Sequence, residues 1–180
     1  MQPDRSTLTQ FLIEERRHHP QASGELNGLI LNVALACKAI AKRVAYGALD
    51  GMLGSGESAT GPRRPLDREA RDLFVRATEW NGHLAGMSAD NLELPHRISE
   101  RYSRGKYLLV LAPLDGSSNL DMNLSLSSIF SILRAPRPGE DATGEDFRQP
   151  GKSQVCAGYA IYGPSTMLVI TVGTGVHGFT

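Results

Sequence analysis

The sequence has 180 residues, 41% hydrophobic and 21% charged, with nineteen basic side chains against nineteen acidic ones for a formal net charge of zero. That suits one soluble globular domain with a sizeable core. It gives no electrostatic reason to expect nucleic acid or an anionic membrane surface as partner, and no apolar run approaches the ~20 residues of a membrane span.

The opening stretch MQPDRSTLTQFLIEERRHHP has acids and polar residues where a secretory signal needs apolar ones, so a cytoplasmic protein is expected. Ser6 or Thr7 can cap a first helix carrying Leu8, Phe11 and Leu12 on one face, with Pro20 marking its end. The strongest periodic segment follows ASGELNG, where Leu26, Leu29, Ile30, Val33, Ala34, Cys37, Ile40, Ala41 and Val44 recur at helical spacing. Residues 47–65 are rich in Gly, Ser and Pro and read as a long loop, which in a compact domain is functional or disordered. Leu66 to Trp80 is helical again through Leu73, Phe74 and Ala77.

Beyond Trp80 the pattern turns to strands: HLAGM, KYLLVLA, NLSLSSIFSILR, QVCAGYAIYG and TMLVITVG. The third alternates at first and then becomes continuously apolar, as a well-covered strand does. Pro136 to Gly151 carries Pro, Gly, Glu140, Asp141, Glu145 and Asp146 and reads as an exposed loop. The basic pairs Arg16-Arg17 and Arg63-Arg64 read as solvated surface, and Cys37 and Cys156 as reduced, buried thiols. Helices first and strands later predict an α+β domain, N-terminal helices packed on a mixed β-sheet.

The chemistry concentrates in LAPLDGSSNLD, residues 111–121. Gly116 lets a backbone approach a ligand, and Ser117 and Ser118 add hydroxyl donors. Asp115 alone would repel a phosphate, but it fits one if a hard cation such as Mg2+ sits between them. The plainer alternative is an Asp-Gly turn joining two strands, its serines merely satisfying the backbone. Asp90 follows HLAGM as Asp115 follows KYLLVL, so neighbouring strands would deliver both carboxylates to one sheet edge. Asp67, at the start of a helix, suits an N-terminal cap equally well.

LAPLDGSSNLDMNLSLSSIFSILR resembles the signature of class I fructose-1,6-bisphosphatases, which usually reads Asp-Pro-Leu-Asp-Gly-Ser-Ser-Asn-Ile-Asp before a strand ending Ile-Phe-Ser-Ile. TLTQFLIEERR, SGELNGLILNVA, AGMSADNLELP, RGKYLLV and AGYAIYGPSTMLVITVGTGVHGFT resemble successive family segments in the same order, so the likeness covers nearly the whole chain. It implies residues 1–180 as the N-terminal half of the two-domain sugar phosphatase α/β sandwich, with the C-terminal domain absent. It also implies Mg2+-dependent hydrolysis of fructose 1,6-bisphosphate to fructose 6-phosphate and phosphate, in gluconeogenesis or the Calvin cycle. Several cations bridge the phosphate there and activate a water.

Carried over position by position, the resemblance makes Asp90, Leu114 (through its carbonyl) and Asp115 metal ligands, Asp67 and Asp90 catalytic, and Asp115, Gly116, Ser117 and Ser118 substrate-binding. The carry-over is uneven. Asp90 stands one methylene short of the family's first Glu, and Asn91 replaces the second Glu, the partner of Asp67 in handling the nucleophilic water. Ala112 replaces the first Asp of the motif, a ligand shared between cations. The expected result is a family member with impaired turnover; the alternative is a non-catalytic remnant that binds a cation or phosphosugar weakly or pairs with a full-length relative. Family members are commonly tetramers, and some bind AMP near the first two helices, where SGELN retains part of the region.

Overall fold

The computed structural model describes residues 6–18, 24–47, 65–90, 92–122 and 124–180. Three helices come first, α1 (Leu8–His18), α2 (Gly24–Tyr46) and α3 (Pro65–Thr78). Seven strands follow: β1 (Leu84–Ala89), β2 (His96–Arg97), β3 (Tyr107–Asp115), β4 (Leu126–Arg134), β5 (Gln154–Tyr162), β6 (Thr166–Thr171) and β7 (His177–Phe179). The predicted α+β arrangement holds. The long Gly-rich loop, apart from Gly47 and Pro65, lies outside the described residues, as do Pro20 and the Arg63-Arg64 pair.

Local chemistry sets the helix starts. Thr7 is the cap of α1: its Oγ1 accepts from the Gln10 N–H at 3.2 Å, and the Thr7 N–H donates to Gln10 Oε1 at 2.9 Å. Two orphan donors are thus satisfied reciprocally. Pro65 opens α3, where its missing N–H costs nothing and its fixed φ suits the helix. α2 buries Leu29, Ile30, Val33 and Ile40 completely, the stripe that its spacing predicts.

The strands form one sheet in the order β2-β1-β3-β4-β5-β6-β7. Among the described residues only β1 and β3 pair in parallel; from β3 onward each strand lies antiparallel to its successor in sequence. The helices cover one face, against inward side chains such as Leu109, Phe130, Ile132, Ala160 and Ile170. Gly158 in β5 is required by this packing: a side chain there would run into the Val169 carbonyl oxygen and the Phe130 ring. Among the described residues no helix is long and apolar enough to cross a membrane.

Two expectations change in detail. The continuous apolar run of β4 predicts cover on both faces, yet Ile129 is 46% exposed. Alternation persists along the strand because its outer face is covered only at its C-terminal end. What covers that end is the second revision. Residues 136–151, expected to be simply exposed, send Ala142 and Phe147 onto Ala85, Leu108, Leu133 and Ala135, making a small second core. Their acids hold the segment down: Arg104 Nε donates to Asp141 at 2.7 Å and Arg137 to Asp146 at 2.8 Å. Asp146 also accepts from both the N–H and the hydroxyl of Thr143.

Among the described residues nothing covers the rest of that outer face. Ile129 pairs with Tyr159, 41% exposed, and beside them lies an open groove of about 550 Å3 whose walls include Val110, Val169 and Val176. A patch of this kind invites self-association. The 180-residue chain is expected to sediment as oligomers at tens of micromolar and to bind an apolar dye. Ile129→Lys with Tyr159→Lys should reduce both; a monomer without dye binding would contradict this reading of the face. A second expectation concerns acid. Hydrogen bonds from Thr143, reinforced by Arg137, hold the Asp146 carboxyl below its ordinary value of 3.8. A depressed carboxyl stabilises the fold above its unfolded pKa and loses that contribution as pH falls through the folded one. Amide protection over 142–147, measured against intrinsic exchange at each pH, should therefore fall below about pH 3.8, ahead of the sheet amides, and Asp146→Asn should remove the part of that dependence that Asp141 does not supply.

Candidate functional site

The parallel pair β1–β3 places the site. Parallel neighbours end at the same edge, and Ala89 pairs with Leu111. The Asp90 N–H then donates to the Leu111 carbonyl at 3.0 Å, extending the ladder one residue and setting Asp90 alongside Ala112. Asp115 ends β3 at the same edge. Both carboxylates are exposed there, as neighbouring strands would require.

Between Ala112 and Asp115 the strand is irregular. Ala112 opposes Ile129 and Asp115 opposes Ser127, so β3 advances one residue more than β4. That is a bulge, and Pro113, with no N–H to give a ladder, sits inside it. Leu114 within the bulge is buried. Ser127 Oγ lies 3.5 Å from Asp115 Oδ2, a weak contact at most.

The strands are not joined by a tight Asp-Gly turn. Residues 116–125 intervene and include a 3-10 helix, Ser117–Met122. Gly116 adopts φ +78°, and a side chain there would also press on Asn119 Nδ2. Asn119 ties the loop together: its N–H donates to the Gly116 carbonyl at 2.7 Å, its carbonyl accepts from the Leu124 N–H at 3.2 Å, and its side chain reaches the Ser125 carbonyl at 3.4 Å. Ser117 is half-buried and Ser118 exposed, so both hydroxyls can be reached.

Asp67 comes from the helix layer, in the first turn of α3, which packs on β3. It is only 8% exposed. A carboxylate that serves only the helix dipole has no need of such burial. Asn91 lies outside the described residues. Among the described residues no three acidic, His or Cys side chains come close enough together to hold a metal ion. The Asp90 and Asp115 carboxylates and the Leu114 carbonyl are oxygen donors, the kind a hard cation takes.

Sequence reasoning gave no role to Asn119 or to Ser128, which donates to the Pro113 carbonyl from β4. A signal for the latter exists: in the inward register Leu126, Ser128, Phe130, Ile132, one position is polar.

Comparison with known proteins accords with this geometry. The family model described as fructose-1-6-bisphosphatase, N-terminal domain, matches residues 6–180. The chain is 57% identical over 179 residues to a class 1 fructose-1,6-bisphosphatase of Methylibium petroleiphilum, covering 98% of itself and 50% of that relative. It is 56% identical to one of Hydrogenophilus thermoluteolus, again over 50% of the relative's length. The chain thus spans about half the length of the curated relatives it matches. Crystal structures of Leishmania major fructose-1,6-bisphosphatase superpose on it with TM-scores of 0.84 (holo, 32% identical) and 0.78 (apo, 29% identical), each over 96% of this chain and just over half of the other. By sequence and by fold, the chain belongs to the fructose-1,6-bisphosphatase family, within the part that forms its N-terminal domain.

Proposed function

We propose that this chain is the cation- and phosphate-binding part of a class 1 fructose-1,6-bisphosphatase, reduced to a weak single-cation site with little or no turnover of its own. The observation that carries the reading is Ala112. It occupies the strand position alongside Asp90, at the edge where β1 and β3 end, and its methyl group offers a cation nothing.

Mg2+ is the cation such a site would take, because it favours oxygen donors and substrate phosphate, and when bound it would neutralise phosphate charge. Asp90, Asp115 and the Leu114 carbonyl are the ligands for it. Gly116, Ser117 and Ser118 serve a sugar phosphate, with Gly116 keeping the backbone accessible and the serine hydroxyls donating to phosphate oxygens. Asp67 would hold a proton for the attacking water, but Asn91 stands where its acidic partner is expected and cannot take charge. Changes to groups that only support metal ligands already cost 10–100-fold in affinity or activity, and here a direct ligand is gone. The exposed Ile129–Tyr159 face supports a second reading, in which the chain works by pairing with another copy or with a full-length relative. The cytoplasm is the compartment proposed for either.

Purified chain is expected to release no phosphate from fructose 1,6-bisphosphate above a blank, with or without Mg2+. Robust turnover abolished by Asp115→Asn would overturn this reading. Calorimetry supplies a separate check. Ala112→Asp should raise Mg2+ affinity about tenfold, in line with the cost of losing metal-site groups, without restoring turnover. An unchanged affinity would mean that position 112 lies outside the cation site.

A further inference from the structure

The bulge that carries the proposed cation ligands is held from behind by a buried chain of hydroxyls. Ser128 is fully buried, and its Oγ donates to the Pro113 carbonyl at 2.6 Å. The same Oγ lies 2.6 Å from the Tyr162 hydroxyl of β5, itself only 2% exposed. Tyr162 is in turn hydrogen-bonded to Cys37, buried in α2.

Counting protons fixes the direction of this chain. A carbonyl can only accept, so the single Ser128 proton is spent on Pro113. Tyr162 must then donate to Ser128, and the Cys37 thiol to Tyr162. Three elements, α2, β5 and β4, thus converge on one carbonyl. Burial pushes the Cys37 thiol up to about 11 and raises the Tyr162 phenol as well, so both keep the protons that this order needs at neutral pH.

We propose that Ser128 and Tyr162 are positioning residues for Leu114 and Asp115, acting through the Pro113 carbonyl. The inference rests on the cation-site reading above. Its mechanics are specific to Pro113. The proline ring already fixes φ, and ψ is the remaining soft torsion of that residue. Ser128 holds that torsion by holding the carbonyl. The peptide plane leading into Leu114 is then set, and with it the direction in which the Leu114 carbonyl and the Asp115 carboxylate leave the bulge. Bonds of 2.6 Å lie at the short end for hydroxyl donors, and donors in series polarise one another.

The test reads the carbonyl directly. Pro-Leu occurs only at 65–66 and 113–114, so proline carbonyl 13C with leucine 15N labelling gives two peaks, the first an internal control. In Ser128→Ala the Pro113–Leu114 peak should move upfield in carbonyl shift while the Pro65–Leu66 peak stays. Mn2+ affinity, read from paramagnetic broadening of the Leu114 amide, should fall about tenfold, as for a lost buried hydrogen bond. Tyr162→Phe keeps the Ser128–Pro113 bond but removes its polarising donor. It should give the same changes at reduced size, and it carries the comparison if Ser128→Ala does not fold. An unmoved peak, or unchanged Mn2+ affinity despite a moved one, overturns the positioning role while leaving the cation site standing. Absence of any Mn2+ broadening in the unmodified chain overturns the cation-site reading and this inference together.

Discussion

Everything at the site depends on β1 and β3 running parallel. An antiparallel pairing would send the ends of these two strands to opposite edges and separate Asp90 from Asp115 by the width of the sheet. Parallel pairing also demands a connection that crosses back, and residues 90–106 supply it through the short edge strand β2. This pair lies second and third in the seven-strand order, with α3 resting on β3. Tyr107, Leu109, Leu84 and Met87 are all essentially inaccessible to solvent. Truncating a core side chain of this size costs about 2–5 kcal/mol, so the edge carrying both carboxylates is anchored by the best-packed part of the molecule.

Much of this was legible in the residues. The α2 stripe from Leu26 to Ile40 reads directly, because a buried helix shows its period without help from tertiary context. Asp90 and Asp115 could be placed at one edge from the likeness of HLAGM and KYLLVL alone, given neighbouring strands. What escaped were features that exist only once strands pair. The bulge at Pro113 is a mismatch between two ladders; the proline hints at it, but its register exists only once β3 and β4 pair. Ile129 looks like a core residue by type, and only the absence of cover over the middle of β4 leaves it exposed. The acids of 136–151 look solvated until Arg104 is brought to Asp141 from another part of the chain and the segment folds Arg137 back onto Asp146. Sequence pattern reports periodicity well; it reports which face finds a partner poorly.

The site itself divides along the same line. Types and order were readable, including the alanine where the resemblance leads one to expect a carboxylate. The supporting contacts were not, since Asn119, Ser128 and Tyr162 act by direction and distance. Cys37 illustrates the difference. By sequence it is one more small apolar residue on a helix, and in the fold it begins a proton-donor series that ends behind the proposed ligands.

From β3 to β7 the sheet is built strictly in chain order, each new strand laid against the one just before it. Each closure in such a meander joins strands adjacent in sequence, the longest running through residues 135–153 between β4 and β5, so its entropic cost grows only slowly and no later segment is needed to complete an earlier ladder. A chain emerging from a ribosome would find each partner already in place, and the α2 and α3 layer waiting to receive the inward side chains. The β1–β3 crossover, which brings Asp90 and Asp115 to one edge, closes over a stretch of similar length to the β4–β5 connection.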